Sequence, residues 1–401
     1  MRNPERQGRF DVRIVLGSGR MINYQQGGGH WAWFLQYPLG LRALGHDVFW
    51  MELMASSGDE ERDQRLSRDF FQRLVAHGLD RECAVLLYKG NADGNIDVQP
   101  LEQCEVFGRS RTDLTEIIRS ADLLLNFCCL VRPPLLSMFK RRVLLDFDPG
   151  HLQVSALSWD LAFRDHHALL TIGARIHAPD CTVPTLGLKW RTFEPLVYLP
   201  MWQPAPDPGP QAPFTSVTQW TWDELAWQGG FISVSKRAAY LEYLDVPRLT
   251  DRPFELAANI GAADPAGDRQ SLREHGWRVA DPHRVSASPT QYQQYIRDSR
   301  AEFMCAKPIH VAMKTGWFSD RSIAYLASGR PVLAQETGFH ERLPTGRGLL
   351  AFRDVREAVE GAAEIDGNYQ KHSRAARELA EAFFDSRKCL TGLLAAATDE
   401  A

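Results

Sequence analysis

Residues 200–213, PMWQPAPDPGPQAP, place six prolines in fourteen positions. Proline fixes φ and removes a backbone donor, so this stretch is neither helix interior nor central strand. It makes a semi-rigid, extended spacer. It falls near the middle of a 401-residue chain and leaves two halves of ordinary domain size. The expected division is a domain over 1–199, a linker over 200–213, a second domain over 214–385, and a final helix end and tail over 386–401.

Both halves alternate short apolar runs with helical periodicity. In the first, VRIVLGS (12–18), DVFWME, CAVLLYK, DLLLNF, RVLLDF and ALLTIG read as strands. In the second, FTSVTQ, FELAAN, GWRVAD, EFMCAK and RPVLAQ do. Continuous apolar strands separated by helices imply parallel sheets covered on both faces. The expected fold class is α/β, with two doubly wound Rossmann-like domains facing a cleft. Ligands of such domains sit beyond the C-terminal strand ends, which makes the cleft the default site.

A formal net charge of −4 gives no basic excess for nucleic acid and no polybasic tail for a membrane surface. The seven cysteines include no CxxC pair, which fits free thiols in a reducing compartment. MRNPERQGRF has no apolar core for a signal peptide, and ADLLLNFCCLVRPPLLSMF is broken by Arg132, Pro133 and Pro134. A cytoplasmic protein, monomer or homodimer, is expected. No cluster has clear metal spacing, so no metal and no cofactor are expected; Asp165-His166-His167 comes nearest.

VLGSGRMI carries part of a dinucleotide fingerprint, with Gly17 and Gly19 in place but Ile22 at the third glycine. Glu52 ends the second strand as a ribose-binding acid would. A second glycine cluster follows in QQGGGHWAW, where Gly27, Gly28 and Gly29 lead into His30. His30 is followed sixteen residues later by His46, in GHWAWFLQYPLGLRALGHDV.

This stretch resembles the GH…P…L…L…GH-V opening of nucleotide-sugar-dependent glycosyltransferases of the GT-B fold. The resemblance implies that His30 faces the interdomain cleft and deprotonates an acceptor hydroxyl, work suited to imidazole. Gly28, Gly29 and Trp31 would then border the acceptor. Asp122 is the expected partner of His30. Asp146 and Asp148, in LLDFDPGHLQ, would contact substrate from a strand end. Pro38 comes eight residues after His30, later than in the family, so the helix is either kinked there or starts nearer Tyr37.

KTGWFSDRSIAYLASGRPVLAQETGF (314–339) carries the stronger signal. Ser319 reads as an N-cap, Gly329 as the helix end and Pro331 as the start of a strand. The free N–H groups of such a helix form a natural diphosphate site, and Arg321 in the first turn opposes the dipole unless an anion is bound. The pattern resembles the donor half of GT-B enzymes. By that resemblance Ser319, Arg321, Ser322 and Lys314 hold the diphosphate, and Glu336, Thr337, Gly338 and Phe339 face the donor sugar. GWRVADPH seats the base near Val279 and Ala280. The family's E-x7-E is absent, since Ala324 takes the second glutamate's place, and plant-type HCGWNS is replaced by TGWFS.

The expected function is transfer of a sugar from a UDP- or dTDP-linked donor to a hydroxyl of a small molecule such as a natural product. Inversion, His30 as base and no metal are expected, with the 200–213 hinge closing over the substrates. The rivals are a GT-B-fold UDP-sugar epimerase, which needs cleft carboxylates, and a non-catalytic nucleotide- or sugar-binding protein.

Overall fold

The first sheet has eight strands: β1 (Arg13–Ser18), β2 (Asp47–Ala55), β3 (Cys83–Tyr88), β4 (Glu105–Phe107), β5 (Leu123–Phe127), β6 (Arg142–Asp146), β7 (Ala168–Thr171) and β8 (Trp190–Thr192). The computed structural model describes residues 12–19, 21–24, 26–88 and 100–399. Residues 1–10, on which the signal-peptide expectation rests, lie outside the described residues. The order is β4-β3-β2-β1-β5-β6-β7-β8, and every pair is parallel except β3 with β4. The strand order reverses between β1 and β5, which opens a crevice beyond their C-terminal ends.

The second sheet has six strands in the order β13-β12-β9-β14-β15-β16, all parallel. They are β9 (Phe214–Gln219), β12 (Phe254–Asn259), β13 (Trp277–Ala280), β14 (Ala301–Met304), β15 (Val332–Gln335) and β16 (Leu349–Phe352). Its order reverses between β9 and β14. A two-stranded hairpin, β10 (Glu224–Trp227) with β11 (Gly230–Ser233), follows β9 and packs against the helix His151–Ser155 of the first domain. The chain thus forms two doubly wound α/β domains, as the strand-helix rhythm implies.

The first helix runs from Gly28 to Ala43 without stopping at Pro38. Pro38 only leaves the Phe34 carbonyl without its in-helix donor. The helix buries residues on all sides, because the C-terminal helix Ser386–Thr398 crosses back and packs on it. Val197 and Ser386 fix that crossing through main-chain bonds of 2.8 Å (Val197 N–H to Phe384 O) and 2.9 Å (Ser386 N–H to Val197 O). The largest apolar cluster accordingly runs through both domains, from Ile14 and Trp50 to Ile323 and Leu393.

The proline-rich linker is strapped to the second domain. Asp207 pairs with Arg300 at 2.6 Å, Arg330 donates to Pro206 O at 2.7 Å, and Arg377 donates to Trp202 O at 2.6 Å. Among the described residues no helix is long and apolar enough to cross a membrane.

Candidate active site in the interdomain cleft

The second-domain side of the cleft is built at the reversal point of the second sheet. The helix Asp320–Ala327 points its N-terminus there. Ser319 occupies the N-cap but makes no side-chain bond to its own helix. After Leu326 the chain turns at Gly329, and Arg330 N–H returns to the Tyr325 carbonyl at 2.9 Å. Ile323, Tyr325, Leu326 and Ala327 are fully buried, so packing fixes the direction of this short helix.

Arg321 reaches back across the sheet. Its Nε lies 2.6 Å from Glu302 Oε1 and its Nη1 donates to Val217 O at 2.6 Å. Nη2 has no hydrogen-bond partner, nor do the buried Glu302 Oε2, Ser216 Oγ and Ser322 Oγ. Unpartnered buried polar atoms are costly; the donors among these, Arg321 Nη2 and the Ser216 and Ser322 hydroxyls, suit a ligand with several acceptor oxygens, whereas Glu302 Oε2 can only accept. Burial works against the Arg321 charge, but Glu302 holds it above its ordinary range.

Two lysines complete a cationic wall. Lys236 opens the helix Lys236–Glu242 after the hairpin; it is buried, its ammonium meets the Cys305 carbonyl, and it lies 5.2 Å over the Trp317 ring. Burial, with Arg321 and Lys307 nearby, pushes its pKa down to about 7. Lys307, just beyond β14, pairs with Asp148 and lies 5.8 Å from the Trp222 ring centroid.

The first-domain side of the cleft lies at the C-terminal edge of the first sheet. His30 is exposed on the first turn of its helix, stacked on Tyr24 at 4.7 Å and edge-on to Trp33 at 6.5 Å. Trp33 in turn meets Phe147 at 4.9 Å, which leads to Asp148. Asp148 accepts from His151 Nδ1 at 3.0 Å and lies 3.2 Å from His310 Nε2. Burial works against its charge, yet Lys307, His151 and His310 hold it well below the usual carboxylate range. Burial also pushes His310 down to about 4, and its ring stacks on Trp317 at 4.4 Å.

The structure does not bring every expected residue to this place. Asp122 precedes β5 and accepts from Arg13 N–H at 2.8 Å, at the N-terminal edge of the sheet. His30 follows the opposite edge, roughly 20 Å away along a six-residue strand. Trp31 turns into the core between Trp50 and Phe70 and is fully buried, so Trp33 is the tryptophan that faces the cleft side. Asp146 is buried and accepts from Gln153 at 2.8 Å and Thr171 at 2.7 Å, so it shapes the turn that presents Asp148. Lys314 is an exposed residue paired with Asp180 of the first domain at 3.1 Å.

The expected sugar-facing loop is largely occupied by protein. Thr337 donates to Trp317 O at 2.6 Å, and Phe339 is buried against Phe318. Glu336 accepts from Gly338 N–H at 2.5 Å and pairs with His340 at 3.0 Å. Gly338 has φ +100°, and a Cβ there would lie 2.3 Å from Cδ of Arg175 of the first domain. Arg175 fills this notch and pairs with Asp180 at 2.5 Å and Glu341 at 2.9 Å. Val279 and Ala280 lie half-buried on the edge strand β13.

Gly28 has an interdomain reason. Its N–H donates to Ser286 O at 2.5 Å, and a Cβ would lie 2.2 Å from Ser288 O. The contact is with the second domain's backbone, which no side chain can share. Gly29 has only ordinary contact with the Tyr292 ring, at 3.4 Å.

Sequence reasoning missed Lys236, His310 and Arg175. The available signal for Lys236 was Ser235 at the N-cap position of a short helix. Nothing local marks His310 or Arg175 as cleft residues: Asp148 meets His310 from the first domain, and Glu341 meets Arg175 from the second.

No family model matches the chain, and no curated protein matches it either. Solved structures do. HepE of Anabaena, solved with UDP and glucose, superposes with a TM-score of 0.57 at 12% identity, covering 96% of this chain and 99% of HepE. Sucrose-phosphate synthase of Thermosynechococcus elongatus gives 0.56 at 11%, covering 96% of this chain and 98% of that one. TarM gives 0.54 at 9%, covering 97% and 99%. Nearly the whole chain therefore shares the two-domain GT-B fold of these proteins.

Proposed function

We propose that this chain is a glycosyltransferase that moves a sugar from a nucleotide-diphosphate donor, UDP- or dTDP-linked, to a hydroxyl of a small-molecule acceptor. The observation that carries the reading is the convergence of Lys236, Lys307 and Arg321 on a helix N-terminus at the sheet reversal, in a fold shared with proteins solved with UDP. The diphosphate lies against Ser319, Ser322 and the free N–H groups of the Asp320 helix. Arg321 turns its unpartnered Nη2 toward it, and Lys236 supplies a second cation.

In the transfer, the acceptor oxygen attacks the anomeric carbon while the bond from that carbon to the diphosphate breaks. His30 takes the hydroxyl proton, and the nucleoside diphosphate leaves with the bonding pair. The cations and helix dipole stabilise the developing negative charge, so no divalent ion is required and EDTA leaves turnover intact. Direct displacement inverts the anomeric centre. Exposure of His30 beyond the C-terminal end of the first strand, edge-on to Trp33, supports its assignment as base.

The test has two arms. Thermal shift with UDP-, dTDP- and GDP-sugars detects the donor by mass action, with a rise expected for at least one of the first two classes. Steady-state donor turnover is then compared between wild type and His30→Ala. Loss of transfer with intact nucleotide binding supports the base assignment, and undiminished transfer sinks it. Sugar inversion without an acceptor would instead indicate an epimerase.

A further inference from the structure

Lys307 and Asp148 form an ion pair that crosses the cleft, the lysine from the end of β14 and the aspartate from the turn after β6. The two partners are unequally served. Asp148 also has His151 Nδ1 at 3.0 Å and His310 Nε2 at 3.2 Å, so it keeps two neighbours if the lysine leaves. Lys307 has Asp148 and the face of Trp222, 5.8 Å away. Both side chains retain access to the cleft, at 15% and 29% exposure. Lys307 also lies two residues beyond Cys305, whose carbonyl holds the Lys236 ammonium, so it stands beside the cationic wall rather than apart from it.

We propose that Lys307 is a donor-binding residue held in reserve by Asp148: an incoming nucleotide diphosphate takes the ammonium from the carboxylate across the cleft. This rests on the donor reading given under Proposed function. A diphosphate offers more charge and more acceptor oxygens than one carboxylate already shared with two histidines. The lysine stem is long and flexible, so the exchange needs a rotamer change and no backbone movement. Asp148 stays in place, bonded to His151 and with His310 Nε2 3.2 Å away. The empty site is thereby kept electrically balanced, at the expense of donor affinity. Donor occupancy is also reported to the acceptor half, because the carboxylate that loses Lys307 belongs to that half.

The test is calorimetric titration of UDP into wild type, Asp148→Asn, Lys307→Met and the double variant. Removing the competing carboxylate is expected to tighten UDP about three- to tenfold. Removing the lysine is expected to weaken it about tenfold or more. In the double variant the asparagine has no further effect, because its action runs through Lys307. Unchanged or weaker UDP binding by Asp148→Asn, or the same tightening with and without Lys307, overturns the proposal alone. Should Asp148→Asn not fold, Lys307→Met decides by itself, and unchanged affinity overturns the proposal. Absence of UDP binding by the wild type overturns both this proposal and the functional reading it rests on.

Discussion

Gly28→Ala isolates the role of the glycine cluster before His30. The added Cβ would meet Ser288 O at 2.2 Å, Ser288 C at 2.5 Å and Ser286 O at 2.6 Å. All three are backbone atoms of the second domain, so no side-chain rotamer can relieve the overlap. The first helix must withdraw, which costs about 1–3 kcal/mol of overpacking. It also strains the Gly28 N–H bond to Ser286 O, worth about 1 kcal/mol. Alanine returns roughly 1 kcal/mol of helix propensity. The net expectation is a loss of about 1–3 kcal/mol, or roughly 2–4 °C in Tm for each kcal/mol in a domain near 200 residues. Gly29→Ala is the control. Its Cβ would meet only the Tyr292 ring, at 3.4 Å, so it is expected to be neutral or to stabilise by up to about 1 kcal/mol. Differential scanning calorimetry on both variants decides the matter. Equal melting temperatures would refute the interdomain-contact account and restore acceptor clearance as the reason for glycine.

Further outcomes are expected elsewhere. Lys236 has a pKa of about 7 when the site is empty, and a bound diphosphate raises it. UDP binding therefore takes up a proton above pH 7, and affinity falls by up to about tenfold per pH unit as pH rises. Lys236→Met flattens that profile, and a flat wild-type profile contradicts the assignment. Among the groups that shape stability against pH, four buried ones act with opposing signs. Burial holds His166 and His310 down to about 4, so their contribution is lost as pH falls below the unfolded value near 6.5. Burial raises Glu52 to about 7 and Asp146 to about 6, so theirs is present at low pH and lost as pH rises through those values. Between pH 7 and 5 each is worth roughly 1–2 kcal/mol and the four nearly cancel. Urea titrations should find Glu52→Gln weakening and His166→Gln strengthening on acidification, and parallel slopes would rule the offset out. Arg175→Ala removes a cross-domain pin whose carboxylate partners are half exposed, so a loss of roughly 1–2 kcal/mol and faster proteolysis are expected. Unchanged proteolysis would assign Arg175 no clamping role.

The strands at the sheet centres were legible because their residues are buried on both faces and read as unbroken apolar runs. The short edge strands β4, β8 and β16 were not, and neither was the hairpin β10–β11. Its ELAW and GFIS segments hold only exposed and half-buried residues and carry no continuous apolar signal. The Ser319 helix was legible from its cap, its apolar face and Gly329. Its electrostatics were not, because Glu302 meets Arg321 from a neighbouring strand and no local pattern encodes that pairing. Asp122 and Asp148 look alike in sequence, but one precedes its strand and the other follows. The rule that ligands gather at C-terminal strand ends already separates them. Trp31 and Trp33 differ by about 200° around a helix, which places only one of them on the core face. The glycines before His30 drew attention to catalysis, whereas the constraint on Gly28 comes from a backbone more than 250 residues away.

The central claim is that a nucleotide diphosphate binds among Lys236, Arg321 and the N-terminus of the Asp320 helix. Isothermal titration of UDP into wild type and Arg321→Met tests it most directly. One saturable site that Arg321→Met weakens by about tenfold or more is the predicted result. No binding by the wild type, or equal affinity in the two proteins, would contradict it.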